Sequence, residues 1–431
     1  MSRFLHDFVV GIDVSSEFSI VAMLAPTGEL IRKPFRIDHN PAGFHKLLDI
    51  LKKEEERLNR KPIYFVESTG IFHLPLFFLK SNDLKGFVLN PLCVHSTKNF
   101  NIRKVKNDNK DSEAIARLAK YQDVKVSIVP EPQILALRMM TREYYTLSDM
   151  LTEMKNRLCT DLYLLFPGFL NLFSGTLGKT ALAVLKNYPS PGAVQEANTE
   201  ALTLLISKTS RKSSEWASKK VLLLRDCSQL ASSMPSEFSL LDAKIKLHIS
   251  NIENMQTSLD GVEVHIHTMI ESKQFPAIAK HNIVLLDEIP GIGFLTAATL
   301  IAEIGDVTLF KSPKALTAFF GIDPSVQQSG KFEGDRNIIS KRGTSLGRRV
   351  LFTAAMSAIR TKRNGEEINP VLRDFYTSKC VSKKKKVALV AVMHKLLHYI
   401  FAVLRDQKPF EIRKPEDHET WRKANHQPAV A

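Results

Sequence analysis

The chain has 431 residues, of which 44% are hydrophobic and 24% charged, a composition that excludes a largely disordered protein. Lysine and arginine outnumber aspartate and glutamate by 60 to 45, which gives a formal net charge of +15. The four cysteines are widely spaced, which argues against a disulfide framework and a cysteine-based zinc site. The chain does not begin with a signal-peptide pattern. We therefore expect a cytoplasmic, basic protein whose large partner is nucleic acid.

Residues 1–125 are predicted to form a mixed α/β domain. Apolar, β-favouring runs end at turn signals or at acids, and helical periodicity separates some of them. The predicted strands are 8–13, 18–24, 30–37, 63–66 and 87–89, and the predicted helices are 41–57, 74–79 and one that begins near Asp108. Three strands followed by alternating helix and strand are typical of an α/β fold.

Residues 126–280 are predicted to form a helical linker and a coiled coil. Helical segments cover about 135–166 and, in pieces broken by prolines, 173–235. Between Phe238 and Met269 two positions recur every seven residues, and nine of these ten residues are apolar. This heptad predicts a coiled-coil seam between protomers, with an intramolecular helical hairpin as the alternative. Gly261 lies inside the repeat and should weaken the helix by about 1 kcal/mol relative to alanine.

Residues 281–408 are predicted to form a compact, mainly α domain. Pro290–Gly293 resembles the turn of a helix–hairpin–helix, in which glycines let backbone N–H groups approach a phosphate. A purely structural turn explains this segment equally well. The apolar stretch 387–404 contains His394, Lys395 and His398, which favours a buried helix over a membrane span. The polar tail 409–431 is predicted to be loose.

Most of the net charge lies in one C-terminal segment. Residues 311–386 contain 17 lysines and arginines and six acids, a local net charge of +11. Such a segment favours phosphate binding with a steep salt dependence, and a solvated surface is the alternative. The candidate phosphate contacts are Lys331, Arg336, Lys341, Arg342 and Arg348.

Four acids suggest a metal site. Asp13 and Glu67 each end a predicted strand, and Asp108 and Asp111 lie three residues apart at a predicted helix start, so they face the same way. Together they could bind two Mg²⁺ or Mn²⁺ ions, because hard cations prefer carboxylate oxygens. Two such ions can activate a hydroxyl and stabilise the leaving oxygen of a phosphodiester. The alternatives are a capping box for the helical pair and a turn role for Asp13.

Ser329 is the candidate nucleophile, although an ordinary loop hydroxyl is the alternative and Ser325 competes with it. It lies in a polar, glycine-containing loop, 321–343, with basic residues on both sides. A serine needs activation, which the metal site could provide, and nearby cations could stabilise the transition state. No Gly-x-x-x-x-Gly-Lys-Ser/Thr loop occurs in the sequence, so we expect no ATP requirement.

These motifs together resemble the DEDD transposases of the insertion-sequence one-ten family, which includes the larger eleven-eleven group. The N-terminal motifs are Gly-Ile-Asp13-Val, Glu67-Ser-Thr-Gly-Ile-Phe-His73 and Asp108-x-x-Asp111 followed by Ala114-Ile-Ala. The C-terminal motifs are Ile289-Pro-Gly-Ile-Gly293, Ala302-Glu-Ile-Gly-Asp306, Phe320-Gly-Ile-Asp-Pro324 and Gln328-Ser-Gly330. Two features depart from the family pattern: the region 173–235 looks longer, and the acid motif reads Asn-Asp-Asn-Lys-Asp-Ser.

The resemblance implies an RNase H-like, RuvC-like N-terminal domain and a recombinase that uses Ser329 as its nucleophile. It also implies DNA and a bridge RNA as partners and favours a site composed from two protomers. From the heptad and the need for several active sites we expect a homodimer or homotetramer, and from the composition no membrane association. A plain RuvC-like nuclease without a covalent intermediate is the first alternative function. A non-catalytic nucleic-acid-binding protein is the second.

Overall fold

The computed structural model describes most of the chain. The described residues are 2–67, 74–89, 94, 108–123, 126–128, 131–173, 175, 177–231, 242–324, 328–329, 332–333 and 338–425. They divide into two compact units, Met1–Leu135 and Ala136–Ala431, and the division falls inside the long helix Pro132–Leu165.

The N-terminal unit is built on a six-stranded sheet with the order β3-β2-β1-β4-β5-β6. Its strands are β1 Phe8–Val14, β2 Phe18–Leu24, β3 Leu30–Asp38, β4 Pro62–Glu67, β5 Lys85–Leu89 and β6 Val126–Ile128. Its helices are α1 Pro41–Leu58, α2 Leu74–Ser81 and α3 Asp108–Tyr121. Strands β1, β4 and β5 are parallel, whereas β2, β3 and β6 pair antiparallel with their neighbours. The predicted α/β class and the five predicted strands are confirmed, whereas β6 lies in the segment that was predicted to begin the helical linker.

Side chains of the central strand β1 alternate between two apolar layers. Val10 and Ile12 pack with α1 and α2 on one face of the sheet. Val9 packs with α3 on the other face. Burial on both faces explains why β1 reads as a continuous apolar run rather than an alternating one.

The C-terminal unit is mainly helical, as predicted. After α4 (Pro132–Leu165), the helices are α5 Lys179–Asn187, α6 Pro191–Glu196, α7 Thr199–Ser210, α8 Ser214–Ala231, α9 Asp242–Glu271, α10 Ala277–Asp287, α11 Phe294–Ile304, α12 Pro313–Phe319, α13 Ser345–Ala358, α14 Pro370–Cys380, α15 Lys385–Asp406 and α16 Pro415–Asn425. Two short strands, β7 Gln328–Ser329 and β8 Phe332–Glu333, pair antiparallel.

The predicted heptad helix exists, but its apolar seam is buried within this chain. Helix α9 runs without a break through Gly261. Ile245, Ile252 and Leu259 join a core cluster with side chains of α4 to α8. Lys244 of α9 pairs with Asp161 near the end of α4, at 2.7 Å. The intramolecular alternative therefore accounts for the described part of the repeat; Phe238 and Leu241 lie outside the described residues.

Helix α15 is the apolar stretch for which burial was predicted. Among the described residues it is the one helix long and apolar enough, by length and composition, to cross a membrane. More than half of that window is buried inside the protein, including Leu389, Val392 and Leu396. It thus packs as a core helix of the C-terminal unit.

The tail predicted to be loose contains a helix instead. Residues 415–425 form α16, and the Arg413 guanidinium lies 4.3 Å from the centre of the Trp421 ring. The ring of Phe410 packs 5.2 Å from that of Tyr399 in α15. Aromatic contacts to the core therefore order a segment whose polar composition suggested otherwise.

Candidate acid edge and serine hairpin

Asp13 and Glu67 lie side by side in the sheet. Ile12 of β1 pairs with Val66 of β4, so the next residue of each parallel strand is the acid. Ile12 and Val66 both face the α1–α2 core. Because side chains alternate along a strand, Asp13 and Glu67 share the opposite face, on which α3 packs. Both acids are half-buried.

Helix α3 runs antiparallel to β1 and brings its first turn to the same edge. Near its end, the Lys120 ammonium donates to the Asp7 carbonyl at 2.9 Å. At its middle, a Cβ on Gly11 would lie 2.4 Å from the Ser112 carbonyl oxygen, so glycine permits the close approach. Asp108 begins α3 four residues before Ser112, a rise of about 6 Å along the helix. Asp13 lies two residues after Gly11, about 7 Å along the strand. The first turn of α3 therefore lies level with Asp13.

We define the acid edge as Asp13, Glu67, Asp108 and Asp111. Asp108 begins α3, but its side chain lies outside the described residues, and Asp111 is half-buried. Within the described part of the chain, no group of three or more His, Cys, Asp or Glu is arranged to hold a metal. Carboxylate oxygens at one sheet edge nevertheless suit a hard divalent cation in their chemistry. The metal site therefore stays a prediction that rests on backbone placement and donor type.

Lys120 is a buried cation at the other end of α3, away from the acid edge, that the sequence analysis missed. Lys120 is fully buried in α3, next to the apolar Ala116 and Ala119. Burial lowers the pKa of its ammonium group, and the nearby Asp7 carboxylate opposes that shift. The sequence could have indicated a buried lysine here, because Lys120 falls on the apolar face of a predicted helix. Lys120 fixes the alignment of α3 along β1.

Ser329 lies in a paired strand rather than in an open loop. Gln328 pairs with Glu333 and Ser329 with Phe332, so only two residues separate the pairing partners. We call β7 and β8 together the serine hairpin. The Ser329 side chain and all of Lys331, Arg336 and Ser325 lie outside the described residues.

The other predicted phosphate contacts differ in their surroundings. Lys341 and Arg342 are exposed, and Lys341 has a left-handed backbone with φ of 54°. Arg348 is half-buried and its guanidinium donates to the carbonyls of Phe320 at 3.2 Å and Gly343 at 2.7 Å. Arg348 thus binds the chain itself, and its contact with phosphate stays a prediction.

The turn Pro290–Gly293 joins α10 to α11, which pack against each other. Gly291 has φ of 108°, and a Cβ there would lie 2.5 Å from that of Ala358 in α13. Gly293 is exposed at the start of α11, and a Cβ there would meet nothing within 4 Å. The first glycine is therefore structural, while the second leaves the helix N-terminus open to a ligand.

Two ion pairs that the sequence analysis missed anchor α4 within the C-terminal unit. Arg142 binds the buried Glu303 of α11 through two hydrogen bonds of 2.9 and 3.1 Å. Arg349 of α13 pairs with Asp149 at 2.6 Å. A cavity of about 640 Å³ opens between these pairs. The partners lie 161 and 200 residues apart, so no local pattern could have indicated them.

Comparison with known families matches two regions of the chain. Residues 10–167 match the DEDD transposase domain of IS110 elements, described as "Transposase". Residues 284–377 match a domain described as "Transposase IS116/IS110/IS902 family". The two matches contain the acid edge and the serine hairpin, respectively.

Individual relatives agree with these matches. An insertion element IS110 protein of 43.6 kDa from Streptomyces coelicolor is 22% identical over 81% of this chain and 83% of its own length. A pilin gene-inverting protein from Moraxella bovis is 33% identical over 38% of this chain and 48% of its own length. The transposase of element IS1111A from Coxiella burnetii is 29% identical over 32% of this chain and 37% of its own.

Proposed function

Since this chain belongs to the IS110/IS116/IS902 family of transposases, we propose that it recombines DNA through a covalent bond between DNA and Ser329. The observation that carries the proposal is the acid edge: two carboxylates on adjacent parallel strands, beside the first turn of α3. That arrangement suits phosphodiester chemistry, in which hydroxyl groups must be activated and negative charge stabilised.

The sheet order supports a RuvC-like, RNase H-like fold for the N-terminal unit. Three antiparallel strands, β3, β2 and β1, continue into the parallel strands β4 and β5. In the proposed enzyme the acid edge binds Mg²⁺ or Mn²⁺. When bound, the ions supply activation of the attacking hydroxyl and stabilisation of the leaving oxygen. The chain's own contribution is to hold the carboxylates at the ends of central strands.

The proposed chemistry conserves phosphodiester energy. The Ser329 Oγ bonds to phosphorus, its proton is released, and one bond between phosphorus and a DNA oxygen breaks, with that oxygen taking up a proton. A free hydroxyl of another DNA end then attacks the phosphorus of the phosphoserine and gives up its proton. The bond between phosphorus and the Ser329 Oγ breaks, and that Oγ takes up a proton. One phosphate ester is exchanged for another at each step, so the proposed reaction requires no ATP.

The proposed partners are DNA and a bridge RNA. The exposed cations Lys341 and Arg342, together with the exposed run Lys383–Lys386, support contact with phosphate backbones. The relative from Moraxella bovis is named for inverting a pilin gene. We further propose a homodimer or homotetramer, because exchange between two duplexes requires several nucleophiles.

The test compares single substitutions in a strand-exchange assay that also detects the covalent adduct. Asp13→Ala, Glu67→Ala and Asp108→Ala should abolish exchange and weaken Mn²⁺ binding measured by electron paramagnetic resonance. Ser329→Ala should abolish the adduct but keep DNA binding, because one hydroxyl contributes little to a phosphate-dominated interface. Asp49→Ala and Ser258→Ala, both at exposed helical positions, are the matched controls.

Three outcomes would contradict parts of this proposal. Near-normal exchange in two of the acid variants would remove the metal site. Metal-dependent cleavage without any adduct would indicate the plain nuclease. An adduct that persists in Ser329→Ala but is lost in Ser325→Ala would move the nucleophile four residues upstream.

A further inference from the structure

The chain segments on either side of the serine hairpin are joined by several backbone and side-chain hydrogen bonds. We define the neck as two segments, 319–324 and 339–343, which enter and leave the hairpin region. Pro324 pairs with Ile339 in an isolated antiparallel bridge. The Ser340 amide donates to the Asp323 carbonyl at 2.8 Å, and the Ser340 hydroxyl donates to the Asp323 carboxylate at 2.6 Å.

The base of the neck leaves no space for side chains between the two segments. A Cβ on Gly343 would lie 1.9 Å from the Phe319 carbonyl oxygen. A Cβ on Gly321 would lie 2.6 Å from the Arg342 amide nitrogen, and Gly321 has φ of 65°. The two glycines therefore allow backbone to lie directly against backbone.

One side chain spans this base. Arg348, at the start of α13, donates from one guanidinium nitrogen to Phe320 in the first segment and to Gly343 in the second. Hydrogen bonds from a charged donor are stronger than those from a neutral one. Arg348 therefore attaches both segments of the neck to a well-packed helix of the C-terminal unit.

The neck bridge and the serine hairpin are separated by short lengths of chain on both sides. From Pro324 to Gln328 is four residues, and from Glu333 to Ile339 is six. Ser329 is thus five residues beyond the bridge, a reach of at most about 17 Å along extended chain.

We propose that the neck is a positioning device for Ser329, in which Arg348 braces the base and the Ser340–Asp323 hydrogen bond closes the outer end. Arg348, Ser340 and Asp323 are positioning residues, since each acts through the backbone that carries the nucleophile. This inference rests on the proposed role of Ser329. It assigns to Arg348 a role within the protein rather than on the nucleic acid.

The test measures the single-turnover rate of adduct formation, with DNA affinity and thermal midpoint measured in parallel. Ser340→Ala removes one side-chain hydrogen bond but keeps the backbone bond, so the protein should fold and bind DNA normally. We expect adduct formation to slow by about tenfold, the factor that one short hydrogen bond can supply. Ser340→Thr keeps the hydroxyl and should retain most of the rate. Thr353→Ala on exposed α13 surface is the control.

A crosslink separates positioning from general stability. Residues paired across an antiparallel bridge have Cα atoms about 4.5–5.5 Å apart, which suits a disulfide. Oxidised Pro324→Cys/Ile339→Cys protein should form the adduct as fast as its reduced form. The same crosslink in the Ser340→Ala background should restore the lost rate, and reductant should reverse the rescue. Ile339→Cys alone controls for oxidation of the native cysteines.

Two results would overturn the inference while leaving the role of Ser329 intact. One is a normal adduct rate in both Ser340→Ala and Arg348→Ala. The other is loss of activity when the crosslink forms, because the neck would then have to open. An adduct that survives Ser329→Ala is different, since it would remove the proposed role of Ser329 on which this inference rests.

Discussion

The acid edge and the serine hairpin hold their reactive groups in different ways. Asp13 and Glu67 extend from central strands of a six-stranded sheet, where the ladder bonds of β1 and β4 fix the backbone on both sides. Ser329 belongs to a strand of two residues, and its support comes from the neck several residues away. The hydrogen bonds between neighbouring strands therefore hold the acid edge rigidly, whereas the position of the serine hairpin depends on a few side chains.

This difference suits the proposed chemistry of the two sites. Groups that bind a cation perform best when their geometry is fixed, since the ion tolerates little displacement of its ligands. A nucleophile that carries a DNA strand must approach its target and later release the strand. The comparison leads us to expect that changes in the backbone packing beneath the acid edge act through folding. Loss of the side-chain hydrogen bonds of the neck should act through reaction rate.

The largest effect is expected in the helical scaffold of the C-terminal unit. Ile252 is buried in the core shared by α4 to α9, so Ile252→Asp places a charge without water or a partner and should destabilise the unit by about 4 kcal/mol or more. Leu247→Asp, at an exposed position of the same helix, should change stability little. Urea unfolding measures both. Unchanged stability of Ile252→Asp, with an altered sedimentation profile, would instead place this seam between protomers.

The next largest effect is expected where backbone is closely packed, compared with a helix that has room for a side chain. Gly11→Ala would bring a Cβ within 2.4 Å of α3 backbone beneath the acid edge, and should cost about 3 kcal/mol of unfolding free energy. The identical change at Gly261 meets nothing within 4 Å and should stabilise α9 by about 1 kcal/mol. Thermal unfolding of both variants is the measurement. A stable Gly11→Ala protein would show that α3 can shift away from the sheet.

A smaller effect is expected at the neck. Lys341 has a left-handed backbone, which glycine adopts without strain, so Lys341→Gly should stabilise the protein by about 1 kcal/mol. If its ammonium group contacts a phosphate, the same variant should bind DNA less tightly. The slope of log affinity against log salt concentration should then fall by about 0.9. An unchanged slope would remove Lys341 from the nucleic-acid interface.

The smallest effect is a pH dependence confined to the C-terminal unit. Burial lowers the pKa of both His394 and His398 in α15, and the nearby Lys314 adds to the shift. The unfolded chain therefore binds more protons as the pH falls below about 6.5, so the unfolding free energy should decrease in that range. His398→Leu should reduce this decrease, as measured by urea unfolding at pH 7.5 and pH 5.5. An equal decrease in the variant would assign the effect to other groups.

The sequence by itself determined five of the six strands of the N-terminal sheet and the positions of the acids that end two of them. The apolar runs of β1 and β4 and their terminal acids are local features, and local pattern is what fixes strand identity. The long helices α4 and α9 followed equally from periodicity. The family was also recognisable from the motifs around Asp13, Glu67 and Asp108, and both family matches agree with it.

Only the tertiary structure decided how those elements meet. Strand register placed Asp13 beside Glu67, and the contact of Gly11 with α3 brought the first turn of that helix to the same edge. An apolar heptad seam reads the same whether its partner lies in the same chain or in another, so its burial under α4 required the fold. Likewise, an arginine near a catalytic motif looks like a phosphate ligand until its guanidinium is found on two carbonyls of its own chain, as for Arg348. Residues that are close in space but far apart in sequence leave no local pattern to read.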